Sequence, residues 1–337
     1  MIQFGGDVQP AFAIDGMRGE PADVVASTAQ ALQVLCDDGV VLAAQLWRGG
    51  PVRSVVVINP ATGVLARYYH RYAAFLASRG HDVITYDYRG IGGSRPAALR
   101  GCGYRGSDWG TLDFAAILDE AERLAQGRPI MVVGHSIGGF IPGLAPRMDR
   151  CAAMLTVGAQ FAYWRDYARW ARLSHCLKWH VAMPAITALL GYFPGRRIGW
   201  LEDLPAGVAF EWAFRRARME RSLPRAERAE IIRRLAAFQG PLLAVTTSDD
   251  PFGTPAAIER GLSYYAGARR SLAVIEPADI GCEHVGHFDL FHSRHRDTFW
   301  LSSARWLESG GRCWDIGIIR PVTGHSLTKG NTHAPWS

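Results

Sequence analysis

The chain has 337 residues, 48% hydrophobic and 20% charged, enough apolar material for a large buried core and too little charge for a disordered protein. Its net charge of +6 comes from basic residues scattered without a consecutive block, which reads as solvated helix faces and argues against a nucleic-acid partner. No apolar run is long enough for a transmembrane segment, the N-terminus lacks the features of a secretory signal, and the six cysteines are too dispersed for a disulfide scaffold; a cytoplasmic protein with free thiols is expected.

Residues 1–28 carry Gly, Pro and Asp without a period and read as an irregular arm. Two apolar runs, 31–36 and 40–46, flank Asp37-Asp38-Gly39 and predict an antiparallel hairpin. Beyond it, β-branched runs alternate with helical stretches: strands at 54–58, 82–86, 130–133 and 152–157, with helices near 68–78, 113–125 and after Gly138. Such alternation is the signature of βαβ units on a mostly parallel, doubly wound sheet. It breaks over 161–238, where Trp and Arg abound and Pro184, Pro194 and Pro205 divide the stretch into short helices, an inserted helical cap. The pattern resumes with strands at 241–246 and 271–275 and helices near 255–265 and 297–307. The predicted division is therefore a core of 29–160 and 239–310, a cap of 161–238, and a poorly ordered tail of 311–337.

The sharpest chemical signal is Gly134-His135-Ser136-Ile137-Gly138-Gly139, directly after the run 130–133. A serine on a tight strand-to-helix turn is held out at the carboxyl edge of a sheet, and a Cβ at either flanking glycine would collide with neighbouring backbone. A hydroxyl becomes nucleophilic only when a base removes its proton, and the base needs an acid to orient it. Both follow downstream in the order Ser, Asp, His. Asp250 is the expected acid, with Pro251 fixing its loop and Asp249 as the alternative; His287, preceded by Gly286, is the expected base, with His284 three residues earlier as its competitor. The N–H of Ile137 and one from the loop Asn59-Pro60-Ala61-Thr62-Gly63 would form an oxyanion hole, Thr62 being preferred over Ala61.

These motifs, together with Tyr86-Asp87-Tyr88-Arg89-Gly90-Ile91-Gly92-Gly93-Ser94, Asp108-Trp109-Gly110 and Gly191-Tyr192-Phe193-Pro194, resemble the α/β-hydrolase superfamily over about residues 30–308. The narrower resemblance is to bacterial predicted α/β hydrolases related to the monoglyceride-lipase and serine-aminopeptidase-like group. It implies Ser136, Asp250 and His287 as the triad and Thr62 and Ile137 as oxyanion donors. The sequence departs from lipases of the group at Pro60-Ala61, where they usually show His-Gly.

The expected activity is hydrolysis of a carboxylic ester or related acyl group on a small, partly apolar substrate, through an acyl-enzyme. The alternative is a catalytically silent fold that binds a small ligand or a protein. No cofactor is implied: the glycine run 90–93 lacks a dinucleotide fingerprint, and Cys282, His284, His287, His292 and His295 lack the spacing of a zinc module. The Arg- and Trp-rich cap leaves peripheral contact with a membrane surface open.

Overall fold

The computed structural model describes residues 29–323. The arm expected at 1–28 and the end of the expected tail lie outside the described residues. Strands β1 (Ala29–Leu35) and β2 (Val41–Trp47) form the anticipated hairpin, with Gly39 at φ +84° turning the chain between them.

Next come β3 (Ser54–Asn59), α1 (His70–Ser78), β4 (His81–Tyr86), α2 (Ala115–Ala125), β5 (Ile130–His135) and β6 (Cys151–Val157). Every residue of β3, β4 and β5 is buried, as expected of parallel strands covered on both faces. The segment after β6 holds α3 (Arg172–His175), α4 (Met183–Leu190), the short strands β7 (Tyr192–Phe193) and β8 (Leu204–Pro205), α5 (Ala206–Ala213) and α6 (Arg228–Ala237). The sheet then continues with β9 (Pro241–Thr247), α7 (Pro255–Leu262), β10 (Arg269–Ile275), α8 (Leu301–Glu308) and β11 (Ile318–Pro321).

The nine strands run in the order β1-β2-β4-β3-β5-β6-β9-β10-β11. The six from β4 to β10 are parallel, and antiparallel strands close both edges. Helices cover both faces. α2 presents Ile117, Leu118, Ala121, Leu124 and Ala125, a helical stripe, to one core; α1 and α8 supply Tyr72, Leu76, Ala304 and Leu307 to the other. Because the central strands are parallel, their carboxyl ends emerge along one edge, and the loops after β3, β5, β9 and β10 meet there.

Three sequence expectations differ in detail. The helix anticipated after Gly138 is two short 3-10 turns, Ser136–Gly139 and Ile141–Leu144. Gly138, Gly139, Pro142 and Gly143 are poor helix formers, and close packing takes over: a Cβ on Gly143 would lie 2.6 Å from the Tyr265 hydroxyl. Pro184 does not divide the inserted segment: it lies just after the π-helical turn Cys176–Ala182, inside the continuous helical stretch 172–190, where the widened turn accommodates a residue without an N–H. The described part of the expected tail, 311–323, includes β11, whose four residues pair with Ser271 to Val274. Its exposed Ile318 and Ile319 alternate with no buried position, so pattern alone gave no strand signal.

Candidate active site

Ser136 follows the last residue of β5 and stands at φ +54°, a left-handed conformation uncommon for a residue with a Cβ. Its neighbours enforce the turn. A Cβ on Gly134 would lie 2.3 Å from the Gly138 carbonyl oxygen, and one on Gly138 would lie 2.4 Å from the carbonyl oxygens of Asn59 and Pro60. Without a Cβ at Gly138, the loop after β3 can pack directly against the serine turn.

The expected acid and base are joined. His287 Nδ1 lies 2.7 Å from Asp250 Oδ2, and both side chains are buried. Asp250 is held from its other oxygen, where Oδ1 accepts the N–H groups of Phe252 at 2.8 Å and Gly253 at 2.7 Å. A carboxylate oxygen facing His287 Nδ1 makes that nitrogen the proton carrier and leaves Nε2 as the acceptor. Space around the pair is tight: a Cβ on Gly158 would lie 2.8 Å from His287 Cε1 and 2.9 Å from Asp250 Oδ2.

Asp249, the alternative acid, does another job. Its two oxygens accept the N–H groups of Val285 at 2.8 Å and Gly286 at 3.0 Å, fixing the loop that delivers His287. Burial works against its charge, but these backbone donors outweigh it and hold the carboxyl below its usual range. His284, the competing base, is 90% exposed, 4.0 Å from Asp249.

A second buried histidine ties three loops together. His135 Nε2 lies 2.8 Å from the carbonyl oxygen of His287, and its Nδ1 lies 2.7 Å from the Tyr69 hydroxyl. A carbonyl can only accept, so Nε2 carries the proton and Nδ1 accepts from Tyr69. That hydroxyl in turn accepts the Ala61 N–H at 3.0 Å. Burial drives the His135 pKa down to about 3, so the ring is neutral at ordinary pH. The Ala61 N–H is thereby committed to Tyr69.

Ser136, Ile137, Thr62 and His287 all line one cavity of about 560 Å³. Trp109, Trp179, Trp200, Trp212, Phe161 and Phe252 make its walls largely aromatic. Of the five tryptophans between 161 and 238, Trp179, Trp200 and Trp212 face this cavity, while Trp170 is 75% exposed.

Two of the other motifs hold the loops of this edge together. Asp87 accepts from the Ala66 and Gly93 N–H groups, at 2.7 and 2.9 Å, and so ties the loop after β4 to the start of the helical turn before α1. Arg89, buried, grips Asp113 at 2.5 Å and Asp38 at 2.6 Å, and Trp109 stacks on Tyr88 at 4.6 Å while donating to the Arg89 carbonyl. The histidines near the C-terminus do not converge: His295 bonds Asp289 at 2.6 Å while His284 faces solvent. Among the described residues, no group of three or more His, Cys, Asp or Glu side chains could hold a metal ion.

Sequence reading missed Tyr69 and the part played by His135. His135 stood in plain view beside Ser136, and the signal that could have found it is a titratable residue at the last, fully buried position of a central strand.

The sequence profile of the alpha/beta hydrolase family matches residues 49–299, from before β3 to the turn preceding α8, and the chain belongs to that family. No curated protein matches the sequence. Among solved structures, a soluble variant of monoglyceride lipase from Saccharomyces cerevisiae, in complex with a substrate analog, is similar at 15% identity, with a TM-score of 0.62 over 86% of this chain and 97% of that one. A monoacylglycerol lipase from Paleococcus ferrophilus is 14% identical, with a TM-score of 0.52 over 80% of this chain and 99% of that one. An acylaminoacyl peptidase from Pyrococcus horikoshii is 16% identical at a TM-score of 0.52, over 83% of this chain and 41% of that one. At such identities the likeness speaks for the fold.

Proposed function

We propose that this protein is a serine hydrolase that cleaves a carboxylic ester through an acyl-enzyme, with Ser136 as nucleophile, His287 as base and Asp250 as orienting acid. The observation that carries the reading is the buried His287–Asp250 pair, 2.7 Å apart, opening on the same cavity as a serine held at positive φ. In the proposed cycle Ser136 Oγ attacks the substrate carbonyl while His287 Nε2 takes its proton, and Asp250 stabilises the imidazolium. The N–H groups of Ile137 and Thr62 hold the oxyanion. His287 then protonates the leaving group, and water, activated by the same ring, releases the acid. The wide aromatic walls suit an acyl chain or an aromatic alcohol, with residues 161–238 acting as the cap over the core. An ester is favoured over an amide because its leaving group needs less activation by a general acid.

A fluorophosphonate probe tests the assignment directly. The wild type should be labelled covalently and Ser136→Ala should not, and p-nitrophenyl esters of rising chain length should then size the pocket. Equal labelling of both proteins would remove Ser136 from the mechanism.

The reading also includes peripheral contact with a lipid surface. Leu173, Leu177, Val181 and Leu189 are exposed at spacings of four and eight along the helical stretch 172–190, beside exposed Trp170. No helix among the described residues is long and apolar enough to cross a membrane, so such contact would be interfacial. Co-sedimentation with phosphatidylcholine vesicles should persist at high salt and be lost in a Leu173→Glu, Leu177→Glu double variant; equal sedimentation of both proteins would discount the face.

A further inference from the structure

Three arginines line the cavity that holds Ser136: Arg71 and Arg294 are exposed, and Arg294 is paired with Asp289, whereas the third is buried and the proposed chemistry leaves it unused. Arg215 lines it, and its side chain is only 6% exposed. It lies two residues beyond the end of α5 and lines the cavity together with Val208 and Trp212 of that helix. A guanidinium has five N–H donors. Among the described residues, the partner recorded for Arg215 is Glu211, met by Nη2 alone at 3.3 Å.

That partner is already occupied. Glu211 Oε1 accepts from Arg105 Nε at 3.1 Å and from the Ser107 hydroxyl at 2.9 Å, and Oε2 accepts the Ser107 N–H at 2.9 Å. Glu211 therefore anchors the loop around 105–107, and Arg215 touches its edge. None of the Arg215 nitrogens is sealed off without a partner, so its free donors open on the cavity, where an anion can meet them. Gly106 leaves the corner open, since a Cβ there would lie 3.1 Å from Glu211 Oε2 and 3.8 Å from Arg215 Nη2.

We propose that Arg215 is a specificity-determining residue that receives a carboxylate of the substrate, so that the preferred esters carry a free carboxylate on either the acyl or the alcohol side. This rests on the serine-hydrolase reading above. The planar fork matches a carboxylate in two parallel hydrogen bonds, and a single guanidinium partly shared with Glu211 balances one negative charge better than the two of a phosphate monoester. The aromatic walls then hold the carbon chain between the carboxylate and the scissile carbonyl.

The test compares matched substrates: p-nitrophenyl hydrogen adipate against p-nitrophenyl hexanoate for an acyl-side carboxylate, and 4-carboxyphenyl hexanoate against phenyl hexanoate for an alcohol-side one. The readout is the ratio of kcat/KM within each pair, which cancels losses common to both members. In one pair the wild type should favour the carboxylate, and Arg215→Met should lower that ratio about 10- to 100-fold, the scale of a hydrogen-bonded ion contact. Arg215→Lys, which keeps the charge without the fork, should fall between. Adipate should also slow fluorophosphonate labelling of the wild type and not of Arg215→Met, which decides the question even if neither ester turns over. Labelled wild type with no carboxylate preference and no protection by adipate overturns the proposal alone. Ratios unchanged by both substitutions do so as well. Absence of labelling in the wild type overturns the hydrolase reading and the proposal with it.

Discussion

Replacing Asp250 by Asn tests the proposed triad at its most directional bond. In the native site Oδ1 accepts two backbone N–H groups, from Phe252 and Gly253, while Oδ2 faces His287 Nδ1 at 2.7 Å. An asparagine has one oxygen and one NH2. Turning the NH2 toward Phe252 and Gly253 would set donors against two donors and leave both unmet, at about 1–3 kcal/mol each. Placing the amide oxygen there keeps both bonds and turns the NH2 toward His287. Nδ1 must then accept, so the ring's proton moves to Nε2, the nitrogen that has to take the proton from Ser136. The shape of the site survives and its base is lost. The expected fall in kcat is about 10³- to 10⁴-fold, equal to roughly 4–5.5 kcal/mol of transition-state stabilisation, whereas urea unfolding should shift by only about 1 kcal/mol. Steady-state hydrolysis of a p-nitrophenyl ester gives the first number, and ¹⁵N shifts of the imidazole give the tautomer. An Asp250→Asn protein that folds normally and keeps kcat within tenfold of the wild type would refute the assignment of this carboxylate.

Asp249→Asn should behave differently, because one amide oxygen cannot replace two carboxylate oxygens that receive the Val285 and Gly286 N–H groups. We expect a stability loss of about 1–3 kcal/mol in urea unfolding and a smaller fall in kcat than for Asp250→Asn; a larger fall in kcat would exchange the roles of the two residues. His135 offers a pH signature. Its folded pKa is depressed by burial to about 3, so the wild type is fully stable with respect to this group above the unfolded value near 6.5, and loses stability as pH falls from there toward the folded value. At pH 5 the loss is about 2 kcal/mol relative to pH 7.5. The stability difference between wild type and His135→Asn, which does not titrate, should shrink by that amount over the same range; a difference that stays constant would show that the ring titrates freely.

Much of the layout was legible because parallel sheets write a simple code. Buried runs such as 130–133 read as strands, and a glycine-flanked serine after one of them marks the carboxyl edge, where the structure puts Ser136. Asp250 and His287 could be picked by their place after β9 and β10, and the structure brings them to hydrogen-bond distance. Orientation was not legible. Asp249 and Asp250 have the same chemistry and adjacent positions, and only the course of the turn decides that one meets an imidazole and the other a pair of backbone donors. The inserted segment was harder still, since tryptophans that pack and tryptophans that line a cavity share one hydrophobicity. Trp170, Trp179 and Trp212 look alike in sequence, yet the first is exposed and the other two stack at 4.7 Å on the cavity wall.

The hydrogen-bond chain Ala61–Tyr69–His135–His287 carries a further consequence for how such a site is held. Its members come from the loop after β3, the turn before α1, the end of β5 and the loop after β10, so the segments that carry Ser136, His287 and the proposed oxyanion loop are fixed relative to one another without using a catalytic atom. The chain runs in one direction: Ala61 donates to Tyr69, Tyr69 to His135, and His135 to the carbonyl of His287. Every donor is spent on a group that can only accept from it in that arrangement, which locks the tautomer of His135 and engages the Ala61 amide. Buried and neutral, the chain supplies rigidity with no charge of its own to perturb the His287–Asp250 pair. A strained serine turn can be tolerated in such a setting because the surrounding bonds over-determine it.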